Sequence, residues 1–96
     1  MKSFLLIFNV VPGINTVEMM RDFLNTRSEI KYWYTGFTNG VILVSDQSAT
    51  TLSKPIHERF PGLWFLMVEI RDSYTTTNGY GPKLMWEVIN NPDSKV

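Results

Sequence analysis

The sequence predicts an α+β fold, an antiparallel sheet with helices laid on one side of it. Three observations lead there. Phe4-Leu5-Leu6-Ile7-Phe8 is apolar at every position, as a strand buried on both faces must be. An aromatic run from Ile30 to Phe37 meets Val41-Ile42-Leu43-Val44 across Thr38-Asn39-Gly40, the pattern of a hairpin. Two further stretches repeat their apolar residues at helical spacing.

The first strand stops at Asn9, and Pro12-Gly13 turns the chain. Asn15 or Thr16 caps the first helix, with Glu18 three residues after Asn15 approximating a capping box. Val17, Met20, Phe23 and Leu24 form its buried stripe, while Glu18, Arg21 and Asp22 face water. In the second strand, Ile30, Tyr32 and Tyr34 share one face, and Lys31, Trp33 and Thr35 share the other. Asp46 and Ser48 both suit the cap of a second helix, with Leu52, Ile56 and Phe60 as its ridge. Pro55 leaves its start open. A helix from Ser48 holds that proline in its interior and should kink, whereas one from Ser53 takes it harmlessly in the first turn.

Pro61-Gly62 ends that helix, and Leu63 to Arg71 reads as the fourth strand. Trp64, Leu66, Val68 and Ile70 line one of its faces, and Leu63, Phe65 and Met67 the other. A polar loop from Asp72 to Gly81 leads to Pro82, which opens a third helix whose stripe is Leu84, Met85, Val88 and Ile89. Asn90-Asn91-Pro92 stops it.

The order is therefore β-α-β-β-α-β. With right-handed crossovers it makes a ferredoxin-like sandwich, a four-stranded antiparallel sheet with two helices on one face, plus a C-terminal helix. Residues 1–91 form the single domain, with the last helix at about 82–91 and a tail at 92–96. The expected core is Leu6, Phe23, Val44, Ile56, Phe60, Leu66 and Val68, each on the face assigned as inward. The fourth strand should be an edge, yet it is apolar on both faces.

Composition narrows the function. Nine basic and nine acidic residues give a net charge of zero, which argues against coating a polyanion. The chain has no Cys, so disulfides, thiolate zinc sites and cysteine nucleophiles are excluded. Its longest apolar run is far shorter than a membrane span. No small-residue cleavage site follows that run, so it does not read as a signal peptide. The expectation is a soluble cytoplasmic domain with no membrane partner.

Candidate chemistry is sparse. His57 is the only imidazole, and its neighbours Glu58 and Arg59 point elsewhere on a helix, which suits a surface histidine better than a base. Arg71, Asp72, Tyr74 and Tyr80 lie in or beside a hydroxyl-rich loop that could hydrogen-bond a ligand or merely satisfy its own backbone. Lys31 and Trp33 suggest a stacking platform for RNA bases, but basic company is missing and core or interface packing accounts for the rings. Phe65 and Met67 complete the candidate binding residues. There is no phosphate loop, no metal-ligand spacing, no catalytic set and no expected cofactor.

Several segments carry a family resemblance. They are Lys2-Ser3-Phe4-Leu5-Leu6-Ile7-Phe8-Asn9, Tyr32-Trp33-Tyr34, and Leu43-Val44-Ser45-Asp46 running into Ser48-Ala49. Leu63-Trp64-Phe65-Leu66-Met67-Val68 and Asn78-Gly79-Tyr80-Gly81-Pro82-Lys83 with Trp86 add to them. Together they resemble the small SinR-like proteins, relatives of the VapD ribonucleases and of the small ferredoxin-fold subunit of the CRISPR spacer-acquisition complex. The resemblance implies a ferredoxin-like fold, and in the nuclease-like relatives an Asp at the end of the first strand that holds a divalent metal across a dimer. Here that position is Asn9, a poor hard-cation ligand by itself.

The leading expectation is a non-enzymatic interaction protein acting as a homodimer. Its partner is unknown. A mobile-element or host-defence-related protein, such as a small phage or plasmid protein that blocks a host defence complex by contact, fits the composition, though no residue points to it. The alternatives are a metal-dependent nuclease of the VapD-like kind and a nucleic-acid-binding module.

Overall fold

The structure, a computed structural model, describes residues 1–10, 16–34 and 37–70. Within them the order is β1 (Lys2–Phe8), α1 (Thr16–Asn25), β2 (Tyr32–Tyr34), β3 (Gly40–Ser45), α2 (Ala49–Arg59) and β4 (Phe65–Ile70). The strands form one sheet in the order β2-β3-β1-β4, with every neighbouring pair antiparallel. An α+β sheet of four antiparallel strands with two helices is compatible with the ferredoxin-like arrangement. The expected C-terminal helix at 82–91 and the tail lie outside the described residues.

Register sorts the side chains into rows. Facing the helices are Trp33, Leu43, Phe4 and Glu69, then Val41, Leu6 and Met67, then Phe8 and Phe65. Met20 and Leu24 of α1 and Leu52 and Ile56 of α2 close over these rows, and Phe4, Leu6 and Leu43 have no exposure at all. Phe23 meets Phe60 edge to face at 5.6 Å between ring centres, joining the ends of the two helices.

The opposite face carries Tyr32, Val44, Ser3 and Ile70 in one row, Tyr34, Ile42, Leu5 and Val68 in the next, and then Ile7 and Leu66. No described helix lies over it. This corrects two members of the expected core. Leu66 is 59% exposed and Val68 41%, because β4 turns Phe65 and Met67, not Leu66 and Val68, towards the helices. Val44 is buried as expected, but on this second face. Phe23 is half-buried at the margin of the main core, whereas Leu6, Ile56 and Phe60 are buried in it.

Local chemistry explains the element boundaries. Ser48 caps α2, its hydroxyl accepting the Thr51 N–H at 3.1 Å. Pro55 therefore sits inside the helix, which takes the earlier of the two starts left open by the sequence. The Asn39-Gly40 pair is not the tip of a tight turn. Gly40 is the first residue of β3, and a side chain there would meet Cβ of Phe37 at 3.4 Å. The described part of β2 is also shorter than the span from Ile30 to Phe37. Ile30 packs against the helix-side core instead of sharing the face of Tyr32 and Tyr34.

Candidate interaction surface

β4 borders the sheet, paired with β1 on one side and with no described strand on the other. It brings apolar side chains to the rim because both of its alternating sets are hydrophobic. Phe65 and Met67 rest half-buried against the helix-side core. Leu66 and Val68 stand on the second face, and Trp64, just before the strand, is 79% exposed. The backbone anchors this corner, since the Asn9 N–H donates to the Trp64 carbonyl at 2.9 Å. Asn9 itself is exposed.

The second face is covered unevenly. Ser3 and Val44 are shut off from water, and the described residues packed on Val44 and Ile42 are Leu5, Tyr32, Tyr34 and Ile70. Towards the other end of the sheet Ile7 and Leu66 lie open. Val68, Leu66 and Ile7 are thus exposed apolar neighbours on this face, and Trp64 is exposed just before β4. Sequence reasoning set Trp64 and Leu66 on one face of β4 but took that face as inward and offered Phe65 and Met67 for binding, because alternation divides a strand into two faces without saying which is inward when both are apolar.

The other candidates are scattered. Lys31 is exposed and bonds the Ser28 carbonyl at 3.3 Å, while its N–H donates to Val44 of β3. Trp33 faces the helices, half-buried, with its indole N–H on Oδ1 of Asn25. The two therefore do not form an exposed platform, and the rings on the second face are Tyr32 and Tyr34. Arg71, Asp72, Tyr74 and Tyr80 lie outside the described residues. His57 is exposed on α2, along an open groove of about 1140 Å³ that also takes in Arg27, Glu29, Lys54, Phe65 and Met67. A smaller apolar hollow of about 390 Å³ lies between Met19, Phe60 and Leu63, with Arg59 at its border and over the Phe60 ring.

Charge in this region is concentrated at the turn after α1. Arg27 Nε donates to Glu29 Oε1 at 2.7 Å, and Ser45 Oγ donates to the Glu29 carbonyl at 2.6 Å. Burial works to raise the Glu29 pKa, but its own backbone N–H, the Arg27 guanidinium and the Lys31 charge outweigh it and hold the carboxyl below its ordinary value. This cluster fastens the turn to β3. Among the described residues, no group of three or more His, Asp or Glu is placed to hold a metal ion. Nor is any described helix long and apolar enough to cross a membrane.

No protein-family model, curated protein or solved structure matches the chain, so the comparisons add no link to the SinR-like proteins.

Proposed function

We propose that the chain is a small, non-enzymatic interaction protein of ferredoxin-like fold that acts as a homodimer joined along β4. The observation that supports this is the state of that strand. Edge strands ordinarily carry lysines, a proline or a bulge that turns other chains away. From Phe65 to Ile70 the only charge is Glu69, in the row that faces the helices, and Leu66 on the outer row is mostly in water. Two copies about a two-fold axis would pair β4 with its own counterpart and extend both sheets into one. The balanced charge favours a protein partner over nucleic acid.

Sedimentation velocity over a range of concentrations tests the reading. The expected result is a dimer that Leu66→Lys converts to a monomer with an unchanged far-ultraviolet circular dichroism spectrum. A wild-type monomer at high concentration would overturn it. A metal-dependent nuclease is the competing reading, and it rests on the resemblance alone. Cleavage of RNA or DNA with magnesium or manganese that disappears in Asn9→Ala or Asp72→Asn would put that reading in its place.

A further inference from the structure

The bonding between β1 and β4 decides what β4 offers at its outer edge. The Asn9 N–H donates to the Trp64 carbonyl, so these two are a hydrogen-bonded pair. The antiparallel register makes Ile7–Leu66 and Leu5–Val68 the next such pairs. Phe65 and Met67 stand opposite Phe8 and Leu6 in the alternate, non-bonded pairs. Their N–H and C=O groups therefore point away from β1, and no described residue bonds them. Along the same stretch Trp64, Leu66 and Val68 are exposed, whereas Glu69 and Ile70 are half-buried. Both sets are symmetric about one residue. Phe65 and Met67 adjoin Leu66 on either side, and Trp64 and Val68 come next.

We propose that two copies join through these groups in a single register, with the two-fold axis passing beside Leu66. The proposal rests on the dimer reading and supplies the pairing that reading leaves open. Phe65 of each copy faces Met67 of the other and exchanges N–H···O=C bonds with it. Leu66 meets Leu66 of the second copy, and each Trp64 lies against Val68 of the other, in non-bonded pairs whose side chains approach most closely. Every exposed apolar side chain in and beside the described strand then has a partner. On the helix side, the open groove lined by Pro55, His57, Phe65 and Met67 receives Phe65 and Met67 of the second copy, bringing sulfur against an aromatic ring. Neighbouring registers fit less well. An axis at Met67 sets Trp64 opposite the half-buried Ile70, and one at Val68 carries Trp64 past the end of β4. An axis at Phe65 needs the Leu63 N–H, which the Phe60 carbonyl already holds at 3.0 Å.

The chain has no Cys, so single thiols report the register. Leu66→Cys, Trp64→Cys and Val68→Cys are made in the full chain, checked for folding by circular dichroism, and oxidised alone and in pairs. Opposed non-bonded residues have Cα atoms about 4.5 Å apart, within reach of a disulfide. Leu66→Cys is expected to form a covalent dimer by itself. Trp64→Cys and Val68→Cys should each keep their thiols when alone, because like positions are then offset by about 14 Å along the strand. Mixed, they should cross-link, as intact mass will show. Leu66→Cys linking to Val68→Cys in preference to itself places the axis at Met67, and a covalent dimer of Val68→Cys alone places it at Val68. Either result overturns the register and leaves the dimer standing. No cross-link in any combination also overturns it, and sedimentation of the wild type then separates a dimer joined elsewhere from a monomer, which would take the dimer reading down as well. If Leu66→Cys does not fold, the mixture of Trp64→Cys and Val68→Cys tests the same axis.

Discussion

The indole N–H of Trp33 donates to Oδ1 of Asn25 at 3.1 Å, tying the middle of β2 to the last residue of α1. β2 is a rim strand of three described residues, so this side-chain bond supplements a short ladder. Asn25→Ala should lower stability by about 1 kcal/mol, the usual net worth of one intramolecular hydrogen bond. Urea unfolding followed by tryptophan fluorescence measures it, and an unchanged midpoint would mean that water replaces Asn25 without loss.

The orientation of β4 makes neighbouring residues respond in opposite ways. Met67 packs on the helix-side core, whereas Leu66 is mostly in water. Met67→Ala should cost about 1–3 kcal/mol, and Leu66→Ala no more than about 0.5 kcal/mol in the monomer. Leu6→Ala, at the centre of the core, should cost about 2–5 kcal/mol. Equal losses at 66 and 67 in thermal melts would contradict the placement of the strand.

The second helix carries one stabilising and one destabilising residue. Ser48→Ala removes the hydroxyl that accepts the Thr51 N–H and should cost about 1 kcal/mol. Pro55 has no N–H to give to the carbonyl four residues earlier. Pro55→Ala should therefore raise stability by about 1–3 kcal/mol, a gain that chemical denaturation would register directly.

Glu29 gives the fold a dependence on acid. Its carboxyl is held below its ordinary value, so the folded state binds the proton less readily than the unfolded state. The stabilisation is complete above the unfolded-state pKa and fades as pH falls through the lower folded-state one. Arg27 is more than a third exposed, so solvent screening keeps the effect below about 1 kcal/mol. Glu29→Gln should flatten the stability profile over that acidic window and leave the slope near neutrality unchanged.

Periodicity carried most of this architecture. Leu52, Ile56 and Phe60 recur every fourth residue, and all three are buried. Phe4 to Phe8 and Val41 to Val44 are apolar throughout, and β1 and β3 are the two central strands. Where two local rules competed, the sequence was ambiguous. The Ser48 cap and the Leu52–Ile56 burial outweigh the proline. β4 was legible as a strand but not in its orientation, which depends on how β1 presents Leu6 and Phe8 to its neighbour. Of the candidate binding residues, Phe65 and Met67 lie on β4 facing the helices, while the exposed apolar side chains in and beside that strand are Trp64, Leu66 and Val68.

The central place of β1 has a cost during synthesis. Of the described strands this one is synthesised before the others, yet its partners are Gly40–Ser45 on one side and Phe65–Ile70 on the other. A growing chain holds Phe4, Leu6 and Phe8 without a neighbouring strand until β3 emerges, and one side of β1 stays open until β4 follows. At roughly 5–20 residues per second, the whole delay lasts several seconds. Loop closure over such a separation also slows folding once the chain is free. A nascent chain stalled before Phe65 would present β1 itself as an unpaired rim, open to chaperones and to other unfinished copies.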